Sequence, residues 1–453
     1  MNKKTLDNLW LVASKMHGIF ETSELCKVMI YSLFLEYVKI KKNETDDDEY
    51  LSSYDDKFTL AYLALTYGKM VRAKELSTYV AKIEKELGLD ETVIAVELER
   101  LLDKADSDNV RSIFGAIAEI AFDTQEHLYD VAIWLLDKLT LASGKAGVEY
   151  FTSRDICKLE TRLLDCKEGM LVYDGFCGCG VSVNEVAGNK STVYMQELVV
   201  SSLSLATIIT LLKGSKVGAI RCGDSLLNPL SDMKYDRIVC EPPFMPRYSN
   251  EYMMSVPEDN YIYQDKLNSE SLPLRHVLAH LKEDGIATVV VPMGMLFKSG
   301  RMGEIREMLA KNYIDAVIEF PQGVWLNTGV KTALLVLKKQ KTDASIYMIN
   351  AKDFFDKTPK KNLVLSDENA DKIVALYKNR ETVEGVSINA SIAKIRELGF
   401  NLCTTQYVTS TPEDTIKIED TSVYVQKYDQ LVGQLAEIDK QLGAVRSRFT
   451  KGA

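Results

Sequence analysis

This chain lacks an excess of positive charge. Its 55 Lys and Arg stand against 65 Asp and Glu, for a formal net charge of −10. A polypeptide that grips nucleic acid alone draws much of its affinity from basic groups on phosphates. The balance therefore argues against a self-sufficient nucleic-acid clamp and leaves such a grip to local patches or to a partner. Lys338-Lys339 and the lysines between 357 and 361 are candidate patches, although charge runs are usually exposed faces. No apolar run approaches the roughly 20 residues a membrane-spanning helix needs. Met1-Asn2-Lys3-Lys4 leads into an amphipathic pattern, not the apolar stretch of a signal peptide, so a cytoplasmic protein is expected. Internal repeats and low-complexity tracts are absent. Histidine is scarce, with only His17, His127, His276 and His280. His276 and His280 are four apart on an expected helix, where a surface or capping role is favoured over metal ligation, and no metal site is expected. The eight cysteines are scattered, which reads as reduced, mostly buried thiols rather than a disulfide framework.

What is present is an ordinary globular composition, 46% hydrophobic and 26% charged over 453 residues, enough for two or three domains. Residues 1–138 read as a helical domain, with amphipathic segments at 6–16, 24–39, 60–71 and 110–122. Residues 139–408 alternate apolar strands with helices, which implies an α/β, doubly wound parallel sheet. Residues 409–453 read as a linker and a C-terminal helix. There Tyr424, Tyr428, Leu431, Leu435, Ile438, Leu442, Val445 and Phe449 repeat by four and three, a narrow coiled-coil-like seam. Docking against another chain is favoured over packing on its own domain. Gly433 and Gly443 weaken it as an autonomous helix, so it would order on docking.

The chemistry is concentrated in the middle. Met170 to Gly180 reads Met-Leu-Val-Tyr-Asp-Gly-Phe-Cys-Gly-Cys-Gly: a strand, Asp174, then a glycine-rich turn before a helix expected over 181–187. That is the layout of a nucleotide-type cofactor loop, where glycines let backbone N–H groups approach a ligand. A second strand ends in Met195-Gln196-Glu197, a carboxylate where a ribose-binding acid falls in such folds. A third runs into Arg221-Cys222-Gly223-Asp224. Singly, each acid also reads as a solvated loop residue; together they mark one edge of the sheet. A fourth apolar run, 235–240, closes on Glu241-Pro242-Pro243-Phe244. An acceptor side chain, a proline carbonyl and an aromatic ring at a strand end can hold the exocyclic amine and the face of a base flipped out of DNA. Those four residues also suit a purely structural Pro-Pro turn. The connection after it, 245–271, is rich in Tyr, Asn and Ser and is a candidate for contacting DNA or covering the flipped base.

These motifs resemble the modification (methyltransferase) subunits of type I restriction–modification systems, which are adenine-N6 DNA methyltransferases of the gamma motif order. The resemblance extends to Leu9-Trp10, Lys15-Met16-His17-Gly18 and the segment 28–37, similar to that family's helical N-terminal domain. It extends also to Glu149-Tyr150-Phe151-Thr152-Ser153-Arg154, similar to the segment that closes over the cofactor. Later segments 281–285, 290–297, 305–309, 316–321 and 328–337 fall in the family's order. The resemblance implies S-adenosyl-L-methionine as cofactor, with Thr152, Asp174, Gly178, Gly180, Glu197 and Asp224 toward it and Glu241, Pro242, Pro243 and Phe244 toward the adenine. It further implies double-stranded DNA held through a multisubunit complex, a separate specificity subunit joined by two copies of this chain, and a restriction subunit as a further partner. Two departures stand out. Glu241 replaces the family's asparagine, and Gly175, Cys179 and Val181 replace the proline, hydroxyl residue and final glycine of its loop. The sequence thus leaves two readings: an active methylating subunit, or a catalytically impaired, architectural one.

Overall fold

The computed structural model describes residues 22–408, apart from 46, 48, 123, 144–152, 245, 258–267, 326–328, 342–343 and 359–362, together with residues 6, 9–11, 430, 431 and 434. Thr152, the segment 15–18 and every heptad position except Leu431 therefore lie outside the described residues. Residues 1–408 form one compact unit and 409–453 a second. The sheet and the helices packed on it belong to the first.

The N-terminal part is helical: α1 (Thr22–Asn43), α2 (Leu60–Thr66), α3 (Ala73–Glu86), α4 (Val93–Leu102), α5 (Ser107–Ala118) and α6 (Gln125–Ser143). The sequence suggests an amphipathic first helix, but Leu25 through Val38 of α1 are all buried. It is the central helix of the bundle, and each fully buried Leu or Phe on it stabilises by about 1.5–3 kcal/mol. Helix α2 stops at Thr66, short of 71, where Gly68 turns the chain at φ +78°. Helix α5 starts where the Asp106 side chain accepts the N–H groups of Asp108 and Asn109, satisfying donors a first turn leaves open.

Beyond lie α7 (Arg154–Leu164), β1 (Leu171–Asp174), α8 (Val181–Ala187), β2 (Thr192–Glu197), α9 (Val200–Lys213), β3 (Lys216–Cys222), β4 (Tyr235–Cys240), α10 (Asn250–Ser255) and α11 (Leu272–His280). Next come β5 (Leu281–Pro292), α12 (Gly294–Phe297), α13 (Arg301–Asn312), β6 (Ile314–Glu319), β7 (Thr332–Lys338) and β8 (Ser345–Asn350). A small antiparallel pair, β9 (Phe355–Lys357) and β10 (Leu363–Leu365), precedes α14 (Asp367–Asn379), β11 (Ser387–Ser391) and α15 (Ile392–Glu397). Nine strands form one sheet in the order β11-β8-β6-β7-β5-β4-β1-β2-β3. Strands β3, β2, β1, β4 and β5 are mutually parallel, as are β6 and β8. The sheet departs from wholly parallel at β7, antiparallel to both β5 and β6, and at β11, antiparallel to β8. No helix is described between β6 and β7, and without a crossover helix a return beside the preceding strand runs antiparallel.

The helical part and the sheet share a core. One apolar cluster runs from Leu25, Phe34 and Leu98 through Leu205 and Ile209 of α9 to Val172 and Val193 of the sheet. Polar contacts stitch the same boundary. The Tyr31 hydroxyl meets that of Ser204, Gln125 Nε2 donates to the Leu211 carbonyl at 2.6 Å, and Glu91 Oε2 accepts the Cys222 N–H at 2.9 Å. The boundary expected between 138 and 139 falls inside α6. Among the described residues no helix is long and apolar enough to cross a membrane.

Candidate active site

Because β3, β2, β1 and β4 are adjacent and parallel, their C-terminal ends lie along one sheet edge, the place where doubly wound folds bind ligands. Each of these ends delivers an acid. Asp174 closes β1, Glu197 closes β2, Asp224 follows β3 and Glu241 follows β4. A cavity of about 370 Å³ opens there. Gly178, Glu197, Asp224, Glu241, Pro242, Pro243 and Phe244 all line it.

The glycine loop is held against β2. Cys177 N–H donates to the Gln196 carbonyl at 3.1 Å, and Gly180 N–H to the Cys177 carbonyl at 2.7 Å. Gly178 and Gly180 both take positive φ, +52° and +73°, where a Cβ is penalised. Gly178 turns its N–H onto Glu197 Oε2 at 2.9 Å, while Val199 N–H reaches Oε1 at 2.9 Å. Gly180 does not line the cavity. A Cβ there would stand 2.9 Å from the Ala206 Cβ, so its smallness lets α8 approach α9. Asp174 is likewise withdrawn, only 3% exposed, with Oδ1 accepting the Phe176 N–H at 2.9 Å. Burial pushes its carboxyl well above the ordinary range, the Phe176 bond opposes this, and the neighbouring Glu241 and Glu197 charges add to the rise. Asp224 accepts the N–H groups of Leu226 and Leu227 on Oδ1 and the Tyr252 hydroxyl on Oδ2 at 2.7 Å.

At the β4 end, Glu241 Oε1 accepts from the Ser182 hydroxyl at 3.2 Å. Phe244 meets Trp325 edge to face, centroids 5.9 Å apart, and Trp325 Nε1 donates to Thr332 Oγ1 at 2.8 Å. Tyr248 and Tyr252 stack at 4.5 Å on another wall. The slot beside Glu241 is thus aromatic on several sides with an acceptor at its base, a suitable lining for a flat heteroaromatic ring.

Sequence reasoning missed Phe176, Tyr248, Tyr252 and Trp325 as lining residues. The i, i+4 pair Tyr248 and Tyr252 within the tyrosine-rich connection was an available signal. Trp325, on the β6–β7 connection, carried none. His276 and His280 are not at the surface; both are buried. His276 Nε2 bonds the Tyr173 hydroxyl at 2.8 Å, and His280 Nδ1 bonds the His276 carbonyl at 2.8 Å in the last turn of α11. They also explain one departure in the loop: a Cβ on Gly175 would stand 2.6 Å from the Tyr173 hydroxyl and 2.9 Å from His276 Nε2, so a proline has no room.

A mostly parallel sheet with a cofactor-type loop at β1 and a base-sized slot at β4 defines the methyltransferase class. Residues 123–415 match the N-6 DNA Methylase family. A type I restriction enzyme methylase subunit (MjaVIII) of Methanocaldococcus jannaschii is 28% identical over 397 residues, spanning 79% of this chain and 68% of that protein. The MpnII methylase subunit of Mycoplasma pneumoniae is 25% identical over 73% of this chain and 64% of its own length. Among solved structures, a type I restriction–modification methyltransferase subunit from Streptococcus thermophilus superposes with TM-score 0.74 at 22% identity, over 90% of this chain and 99% of that one. The chain belongs to the N-6 DNA methylase family, and the relatives it resembles over most of its length are type I restriction enzyme methylase subunits.

Proposed function

We propose that this chain transfers a methyl group from S-adenosyl-L-methionine to N6 of an adenine flipped out of double-stranded DNA, as the methylating subunit of a type I restriction–modification complex. The observation that carries the reading is the convergence of Glu197, Asp224 and the Glu241-Pro242-Pro243-Phe244 turn on one cavity of about 370 Å³. The residues suit the cofactor: the volume is that of a small-molecule site, the Gly178 backbone reaches it without a side chain, and two acids stand at neighbouring strand ends.

In this reading Glu197 holds the ribose hydroxyls and Asp224 the adenine amine of the cofactor, while Gly178 and the buried Asp174 form the seat of its methionine portion. Gly180 acts by setting the loop's shape. Thr152 belongs to the segment that closes over the cofactor. When bound, the sulfonium supplies an electrophilic methyl group, so the chain contributes position, electrostatics and a dry site. Glu241 and the Pro242 carbonyl accept the two N–H bonds of the target amine and aim its lone pair. Phe244 stacks on the adenine, a contact of about 1–3 kcal/mol. No general base is needed, because the proton can leave after transfer.

The net charge of −10 supports a complex in which a specificity subunit chooses the sequence and two copies of this chain clamp the DNA, with a restriction subunit as a further partner. We assign residues 1–138 and 139–408 to helical and catalytic parts and 409–453 to subunit association. Acting on genomic DNA, the complex would be cytoplasmic. A second reading, an impaired architectural subunit, draws on Glu241 and on the altered glycine loop. Methylation sequencing of the source genome with and without the gene tests both. Loss of adenine-N6 methylation at a bipartite site on deletion is expected; an unchanged map in cells that express the protein would favour the impaired subunit.

A further inference from the structure

The tyrosine-rich connection does more than wall the cavity. Its short helix α10 is seated by Met253 and by Val256 just beyond it, both buried in a cluster with Leu226 and Leu272. The Ser249 side chain caps the helix by accepting the Tyr252 N–H at 3.1 Å. Tyr248 N–H reaches Ser269 Oγ at 3.3 Å. Tyr248 and Tyr252 pack against the same cluster, stack at 4.5 Å and line the cavity. The Tyr252 hydroxyl then donates to Asp224 Oδ2 at 2.7 Å, across 28 positions of sequence. Asp224 itself follows β3 and lines the same cavity.

A carboxylate offers roughly four lone-pair sites, two on each oxygen. On Asp224, Oδ1 spends both on its own turn, taking the Leu226 N–H at 3.0 Å and the Leu227 N–H at 3.3 Å. Oδ2 gives one to Tyr252 and keeps one. We propose that Tyr252 is a positioning residue of the cofactor site. Its hydroxyl fixes Asp224 in one orientation and leaves the carboxylate a single acceptor position, for one N–H of the cofactor's adenine amine. A hydroxyl-to-carboxylate bond is charge-assisted and short, so it holds the acid against rotation. Stacked on Tyr248, the Tyr252 ring is itself held. The site therefore rejects a purine with a carbonyl oxygen in place of the amine, because two acceptors would meet there with no proton between them. The same bond ties two parts of the site together. Tyr252 belongs to the connection that leaves the Glu241-Pro242-Pro243-Phe244 turn, so an amine that settles Asp224 also settles α10. By linkage, whatever seats α10 tightens the cofactor by an equal factor.

The inference rests on the cofactor role given to Asp224, so its first readout is binding rather than turnover. Calorimetry with S-adenosyl-L-homocysteine, on the full chain alone and in its assembled complex, supplies it. Tyr252→Phe keeps the ring and its stack and loses only the hydroxyl; its affinity is expected to fall about tenfold, as for a lost bond to a charged group. Asp224→Asn lowers affinity too, and the double variant binds as Asp224→Asn does, since the hydroxyl acts through the carboxylate. The wild type is expected to prefer this ligand over its deaminated, hypoxanthine counterpart, and Tyr252→Phe to lose most of that preference. In the assembled complex Tyr252→Phe raises KM for S-adenosyl-L-methionine by the same factor, with kcat at saturation within a few-fold of the wild type. Equal affinity in wild type and Tyr252→Phe, or losses that multiply in the double variant, overturns the inference and leaves the methylation reading standing. A large fall in kcat at saturating cofactor with KM unmoved would place Tyr252 on the target base and overturn it as well. A wild-type chain that binds neither S-adenosyl-L-homocysteine nor S-adenosyl-L-methionine sinks the methylation reading and this inference with it.

Discussion

At the scale of single residues, the unusual side chains come in sets. Glu241 has Ser182 behind it, and Gly175 sits where Tyr173 and His276 leave no room for a Cβ. Glu241→Asn, which restores the family's residue, is therefore expected to impair this protein. The shorter side chain retracts the acceptor by about an ångström and abandons Ser182, a misplacement worth up to about a hundredfold in turnover. Cofactor affinity, read by calorimetry, should be unchanged. A gain in turnover would instead mark Glu241 as the lesion of an impaired enzyme. The departures from the family pattern were visible along the chain. Their companions were not, since Ser182 and His276 lie 59 and 101 positions from Glu241 and Gly175.

At the scale of elements, β6 and α14 are joined by a buried ionic network. Asp315 near the start of β6 accepts from the Tyr377 hydroxyl at 2.6 Å and pairs with Arg380 at 2.5 Å and Lys338 at 3.0 Å. Burial acts to raise its carboxyl, but Tyr377, Lys338 and Arg380 outweigh it and hold Asp315 below the ordinary range. A depressed carboxyl contributes stability that is present above its unfolded value near 4 and is lost as pH falls through the folded one. Denaturant unfolding of the wild type should therefore weaken on acidification, and Asp315→Asn should remove part of that slope. Arg380→Ala at neutral pH is expected to cost about 2–3 kcal/mol, toward the low side for a broken buried pair because Lys338 remains. The apolar runs announced the inner strands, because a strand buried on both faces reads as a continuous hydrophobic stretch, whereas the edge strand β3 is buried only at Ile220. Nothing local announced the antiparallel insertion of β7 between β5 and β6, since pairing is a choice among distant partners.

At the scale of the whole molecule, the helical part and the half-sheet that carries the cofactor loop share one interior. Residues 139–408 produced alone would expose α9 and the outer face of the β1–β3 strands. That fragment is expected to lose near-ultraviolet dichroism and a cooperative thermal transition, whereas 1–408 retains both. A cooperative fragment would show the two parts to be independent. What the sequence by itself determined was the list of parts: helices first, strands with acids at their ends, a glycine turn and an acceptor-Pro-Pro-Phe turn, all set by propensity and local pattern. What only the tertiary structure decided was which parts meet. Asp174 and Gly180 do not line the cavity, while Trp325 and two tyrosines do. Those are contacts across many tens of residues, chosen by packing and by the cost of burying charge, and neither acts within a window of sequence.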